Sequence, residues 1–355
     1  MVIEIAGTAH RAMLIAPVSP VQYLAPSQWD TVEVMRYVDV SGVRLSVIGL
    51  GTWQFGSPEW GYGKDFEQND ALRITERALD LGINLIDTAE IYGFGRSERA
   101  VSKAIKGRRD QAFIASKIMP VFPFDPVVRQ RARGSARRLG IDRIDLYQAH
   151  WPNPVFPTAP LFQALGRLQR EGLITHVGVS NYSLARWQAA ERSLGGPVLS
   201  NQVQYSLVDR RPEQELVPWA QQNDRLIIAY SPLAQGLLSG KYDRDHRPGG
   251  MRAMRPPFLP ENLDRVRELV ETLRTVAESH GATPSQVALA WLVRQPNVVA
   301  IPGAASVAQL ESNVAAADLD LTDEEADRIR SASDRFKPVS GLPAVPSLIR
   351  ARLPV

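Results

Sequence analysis

The 355-residue chain has no cysteine, which excludes disulfides, thiolate catalysis and cysteine-ligated metals. Histidine is sparse, with only His10, His150, His176, His246 and His280. No stretch approaches the roughly 18 consecutive apolar residues of a membrane helix. The dinucleotide fingerprint G-x-G-x-x-G is also missing, because "GLGTWQFG" has Gly49 and Gly51 but Gln54 where the third glycine belongs. That absence argues against an open doubly wound sheet of the usual cofactor-binding kind. Nor is there a strong excess of one charge: 41 Lys and Arg against 38 Asp and Glu leave +3. The densest basic run, "RQRARGSARR" (129–138), sets Arg129, Arg133 and Arg137 four apart. That is the spacing of a solvated helix face rather than a nucleic-acid patch.

What remains is a chain that is 44% hydrophobic, long enough for two domains or one large barrel. Residues 1–35 lack any steady period and read as a flexible N-terminal extension. Glu4 and the interrupting prolines disfavour a signal peptide, and translation from Met35 is an open alternative. Residues 336–355 read as a C-terminal tail. Between them, short Val-, Ile- and Leu-rich runs recur at 44–51, 84–89, 112–117, 144–150, 176–181, 199–205, 225–232 and 297–303. Helical periods fill most gaps, as at 69–82, 159–172 and 306–317, and several end on a capping glycine. Eight strand–helix units predict an α/β fold, a parallel eight-stranded (β/α)₈ barrel, over 36–335. The seventh gap is longer; it predicts an extended loop at 243–257 and two helices near 261–280 and 284–295.

In such barrels the chemistry sits at the C-terminal ends of the strands. Asp87 closes the second strand, Lys117 the third and His150 the fourth, while Tyr92 follows in the loop after the second. A tyrosine can protonate a developing alkoxide if its pKa, normally about 10, is lowered toward neutrality. Lys117 would favour the phenolate, Asp87 would hold the ammonium, and His150 could orient a carbonyl oxygen.

The motifs "GLGTW", "IDTAEIYGFGRSE", "FIASK", "IDLYQAHWPNP", "GLITHVGVSNYS", "NQVQYSL", "YSPLAQGLLSGKY" and "IPGAASVAQLESN" appear in order. With them the chain resembles the aldo-keto reductase superfamily over about 36–335, in the group of potassium-channel β-subunits and bacterial sugar-type reductases. The resemblance implies NAD(P)H-dependent reduction of an aldehyde or ketone; the expected location, the cytoplasm, is compatible with the absence of cysteine. Tyr92 would be proton donor, tuned by Asp87 and Lys117, with His150 completing the tetrad. It also implies a cofactor site. Ser180, Asn181 and Gln202 resemble the residues that grip the nicotinamide carboxamide, and Tyr230 the aromatic that stacks on its ring. Ser231, Pro232, Leu233, Ala234 and Gln235 with Lys241 resemble the pyrophosphate strap. Gly303, Gln309 and Asn313 resemble the adenosine end, and Thr52 and Trp53 approach from the first strand.

Two positions depart from the pattern: Ala305 stands where relatives often have serine, and Ser312 where they often have glutamate. NADPH is the expected cofactor, with NAD an alternative. Lys241, Arg244, Arg247, Arg252 and Arg255 are candidate partners for a 2′-phosphate. Trp53, Phe55, Trp60 and Tyr62, Phe122 and Phe124, and Trp151 and Phe156 suggest an apolar or ring-stacking pocket for a small carbonyl substrate. About half of these would only pack the loops down. No membrane or nucleic-acid partner is expected, and the sequence leaves the oligomeric state open. Two rivals stand beside this reading: a Schiff-base lyase using Lys117 as nucleophile, and a nucleotide-sensing binding subunit. A metal hydrolase is weaker, because only His150 lies at the expected rim.

Overall fold

The computed structural model describes residues 35–58, 61–63, 67–249, 252–253 and 255–339. The described residues begin with an antiparallel hairpin, β1 (Tyr37–Val40) and β2 (Val43–Ser46). Its turn uses Ser41 and Gly42, both at positive φ, as two-residue hairpin turns require. Eight strands follow: β3 (Leu50–Gly51), β4 (Leu85–Asp87), β5 (Phe113–Ile118), β6 (Ile144–Ala149), β7 (Ile174–Ser180), β8 (Ser200–Gln204), β9 (Leu226–Tyr230) and β10 (Val298–Ala300). They pair in parallel and in chain order. Parallel bridges Ile48–Ala300 and Gly51–Gly303 join the first strand to the last. Gly51 is required there, since a Cβ would stand 2.6 Å from the Ile301 carbonyl oxygen. The sheet is the expected (β/α)₈ barrel.

Among the described residues ten α-helices accompany it: α1 (Gln68–Asp80), α2 (Arg96–Ala104), α3 (Asp125–Leu139), α4 (Ala159–Arg170), α5 (Leu184–Leu194), α6 (Leu216–Gln222), α7 (Pro260–Ser279), α8 (Pro284–Val293), α9 (Val307–Val314) and α10 (Asp323–Arg335). Their ends are written in the sequence. Ser183 and Ser306 cap α5 and α9, and Thr283 and Thr322 form capping boxes with Gln286 and Glu325. Gly140 and Gly195 close α3 and α5 in the left-handed conformation.

Two cores result. One lies inside the barrel, where Leu85, Ala115, Leu146, Leu199, Leu226 and Val299 meet Val40, Val43 and Leu45 of the hairpin. The larger one fills the layer between strands and helices. Because side chains alternate along a strand, Asp87, Lys117 and Gln148 follow two residues after Leu85, Ala115 and Leu146. They continue the same interior face toward the C-terminal rim.

Three boundaries differ from the sequence reading. The run 44–51 is not one strand: its start belongs to the hairpin that seals the barrel floor, and the barrel strand itself is Leu50–Gly51, with Ile48 bridging to Ala300. Met35, expected to end the extension, is buried in the main core. Residues 336–339, expected in the tail, pack on α7: Phe336 is buried, and Asn262 exchanges hydrogen bonds with the Val339 backbone at 2.6 and 3.0 Å. The expectations for residues 1–34, for 340–355 and for Trp60 lie outside the described residues. Among those described, no helix is long and apolar enough to cross a membrane.

Candidate active site

Asp87, Tyr92, Lys117 and His150 come together at one rim. Lys117 is fully buried, and its ammonium donates to Asp87 Oδ1 at 2.5 Å, the Thr88 carbonyl at 3.0 Å and Tyr92 Oη at 3.0 Å. An ammonium has three N–H donors and no acceptor. All three are therefore used, and the Tyr92 oxygen must accept, leaving its own O–H to point elsewhere. Asp87 is held from its other side by Gln202 Nε2 at 2.7 Å and Gln148 Nε2 at 3.4 Å. The Tyr92 and His150 rings meet edge to face, 5.8 Å between centroids, and Trp151 stacks on His150.

Titration at this rim is governed by burial first. Burial lifts the Tyr92 phenol above its ordinary value; the Lys117 charge opposes this and Asp87 reinforces it. This corrects the expectation of a phenol drawn toward neutrality, because burial outweighs the lowering by the nearby Lys117 charge, and Asp87 adds to the rise. Burial pulls the Lys117 ammonium down, but Asp87 and Tyr92 outweigh it and the group ends above its ordinary value. His150 falls to about 3 through burial and the nearby Lys117 charge. Its Nδ1 is buried without a partner. At neutral pH the rim thus holds a phenol, an ammonium–carboxylate pair and an uncharged imidazole.

The residues expected to bind a cofactor occupy the neighbouring strand ends. Ser180 Oγ donates to the Gln202 carbonyl, while Asn181, at φ +61°, accepts from the Tyr230 hydroxyl at 2.9 Å. These bonds tie together the tips of β7, β8 and β9. The following segment is strained: Ser231, Ala234 and Gln235 all have positive φ, and Gly236 continues the turn at +101°. Pro232 is buried and Leu233 partly so, while Lys241 is exposed. Across the opening, Gly303 is exposed, Gln309 accepts from the Ala305 N–H at 2.9 Å, and Asn313 reaches the Gly303 carbonyl at 3.4 Å. Thr52 is fully buried, with its hydroxyl shared between the Asp87 carbonyl and Ser97. Its side chain serves the frame, not the opening.

The aromatic set divides. Phe55 is buried, whereas Trp53, Phe122, Phe124 and Trp151 are exposed; Phe124 and Phe156 pack edge to face. Sequence reading missed Phe94, the most exposed large hydrophobic of the described residues at 89%. It sits two residues from Tyr92 at φ +55°. The glycines on either side of it in "YGFG" were the available signal.

The model of the aldo/keto reductase family matches residues 47–334. The chain belongs to that family. An "uncharacterized oxidoreductase" of Mycobacterium tuberculosis is 53% identical over 307 residues, 86% of this chain and 95% of its own. An NADH-specific methylglyoxal reductase of Escherichia coli is 34% identical over 319 residues, 83% of this chain and 97% of its own. Among solved structures, an aldo-keto reductase of Klebsiella pneumoniae in complex with NADP and acetate superposes with a TM-score of 0.67 at 31% identity, covering 84% of this chain and 95% of that one. The chain is an oxidoreductase of this family, with its (β/α)₈ barrel.

Proposed function

We propose that this reductase converts aldehydes or ketones to alcohols, with Tyr92 as proton donor and NADPH as the preferred reductant. The observation that carries the reading is the bond from Lys117 to the Tyr92 oxygen, which leaves the phenolic proton available to a substrate oxygen. Asp87 keeps the ammonium in place, and the neutral His150 can donate one hydrogen bond that orients the carbonyl. A Schiff-base role for Lys117 is disfavoured, because its amine is held protonated and all three of its N–H groups are engaged.

The residues present fit a nicotinamide dinucleotide. Gln235 carries a buried side-chain oxygen without a partner in the strained strap, and left-handed backbone of this kind forms the concavities in which N–H groups receive anions. A Cβ at Gly303 would lie 2.5 Å from Gln54 Oε1, so a side chain there would displace Gln54 at the opening. Bound there, the cofactor would supply hydride to the carbonyl carbon. Asn181, Tyr230 and Ser180 would hold its nicotinamide end, residues 231–235 its phosphates, and Gly303, Gln309 and Asn313 its adenosine. Between Arg294 and Arg328 the sequence has no Lys or Arg, so a 2′-phosphate must find its cation elsewhere. Arg244 pairs with Asp264, and Arg247 with the Phe258 and Ala253 carbonyls. Lys241, exposed just after the strap, is the cation we assign to the 2′-phosphate, and with one exposed partner the preference over NADH should be modest.

The exposed Trp53, Phe122, Phe124 and Trp151 favour compact carbonyls with an apolar or ring-bearing substituent. The test is NADPH oxidation against a panel from methylglyoxal to aromatic aldehydes, with Tyr92→Phe as control. Loss of turnover with cofactor binding intact is expected of the variant. Near-native turnover in Tyr92→Phe would overturn the assignment.

A further inference from the structure

Two carboxylates flank the Tyr92 turn, Glu90 before it and Glu98 after it, and both are sealed from solvent: their side chains are 7% and 0% exposed. Each reaches across to β5, on either side of Lys117. Glu90 Oε1 accepts the Met119 backbone N–H at 2.6 Å, and Glu98 Oε1 accepts the Ser116 hydroxyl at 2.7 Å. Each is also gripped by an arginine of α3. Arg131 binds Glu90 through two nitrogens at 2.6 and 3.0 Å and donates to the Met119 carbonyl at 2.7 Å. Arg138 binds Glu98 Oε2 at 2.6 Å and touches Ser135 at 3.1 Å. The two arginines are seven residues apart, two helical turns, and so lie on one face of α3. That face is not the one read from the sequence: Arg133 and Arg137 are exposed, and Arg129 pairs with Glu171.

Stability alone explains this arrangement poorly. Desolvating two ions costs about what their attraction returns, and well-packed apolar residues often hold a fold as well or better. What charged, partly bidentate pairs supply instead is direction and register. Here the register in question is that of Tyr92 relative to Lys117, since each clamp joins the segment carrying one to the strand carrying the other. Each clamp pairs one cation with one anion, so it fixes geometry without placing net charge beside the catalytic pair.

We propose that Arg131 and Arg138, through Glu90 and Glu98, are positioning residues that hold the Tyr92 hydroxyl at bonding distance from Lys117. The proposal rests on Tyr92 being the proton donor. Glu98→Gln and Glu90→Gln each remove the charge that an arginine meets and so weaken the second and the first clamp, and Ser116→Ala removes only the hydroxyl that Glu98 holds. Displacing a reacting group by a fraction of an ångström to one ångström lowers kcat by about ten- to a hundredfold. The expected result is that loss in kcat, unchanged NADPH affinity by fluorescence titration, and a larger solvent deuterium isotope effect as proton transfer becomes limiting.

A merely structural role would lower the melting temperature without changing the isotope effect. If the folded variants keep native kcat and isotope effect while Tyr92→Phe is inactive, the clamps are overturned and the donor assignment stands. An active Tyr92→Phe overturns both. Should the glutamate variants fail to fold, Ser116→Ala decides alone: native kcat and isotope effect refute the proposal, and loss of kcat with a raised isotope effect supports it.

Discussion

Lys117 Nζ stands 2.5 Å from Asp87 Oδ1 with both side chains closed to water, at 0% and 2% exposure. The pair lies at the top of the barrel interior, two residues above a wholly apolar layer. Breaking a buried ion pair from one side strands a charge, and typically costs about 3–5 kcal/mol. Replacing both partners relieves most of that.

Lys117→Met should therefore lose about 3–5 kcal/mol in urea denaturation, and Asp87→Asn combined with Lys117→Met should recover part of it. Neither should reduce carbonyls at a useful rate, because Tyr92 loses the donor that holds its oxygen. Restored stability without restored turnover separates the two roles of the pair. An active double variant would remove Lys117 from the chemistry.

The pH dependence follows from the shifts at the rim. With Tyr92 as the proposed donor, reduction needs the protonated phenol, and burial raises the Tyr92 pKa above its ordinary value. The reduction rate at saturating substrate should hold through pH 9 (about one unit below the unperturbed phenol). Alcohol oxidation needs the phenolate, so it should climb with pH over the same range. His150, at about 3, stays neutral from pH 7 down to pH 5 (above its pKa by roughly two units or more), and should impose no acid limb there. A midpoint for loss of reduction between pH 7 and 8 would refute the phenol reading.

Cofactor choice tests the adenosine end. A charge-assisted hydrogen bond contributes about 1.5–3 kcal/mol; with Lys241 exposed on the surface, the lower end or less applies. NADPH should bind more tightly than NADH by up to about tenfold, read by quenching of tryptophan fluorescence. Lys241→Met should narrow that gap while leaving NADH affinity unchanged. Tighter binding of NADH would reverse the assignment, and a preference that survives Lys241→Met would shift it to the loop arginines of 244–255.

Much of this was legible in the sequence because the barrel writes itself as a repeat. Apolar runs, helical periods and capping residues located seven of the barrel strands and the two helices before β10, since each unit follows local rules. The convergence of Asp87, Tyr92, Lys117 and His150 was legible for a related reason: strand ends in such a barrel meet at one rim. What the sequence did not carry were relations at a distance. The apolar run 44–51 gives no sign that its first half plugs the barrel floor. The basic run 129–138 shows Arg129, Arg133 and Arg137 by their spacing, while Arg131 and Arg138 become visible only once Glu90 and Glu98 are folded beneath them. The rise of the Tyr92 pKa depends first on how completely the fold buries the phenol beside Lys117 and Asp87, which no sequence pattern records.

Phe94 offers the last test. A bulky residue at φ +55° is an outlier, and holding a non-glycine residue in that region costs about 1 kcal/mol or more. Its ring is 89% exposed, so packing within the chain does little to offset that cost. A ring two residues from Tyr92 can do so by covering a bound substrate. Phe94→Gly should accordingly leave the melting temperature unchanged or raise it. With Phe94→Ala, KM for aromatic aldehydes should rise by about threefold to tenfold, the loss of one ring contact of about 0.5–1.5 kcal/mol, while KM for methylglyoxal changes little. Equal losses for both substrates would mean that Phe94 shapes the Tyr92 turn itself. An unchanged KM for both would leave the ring without a part in recognition.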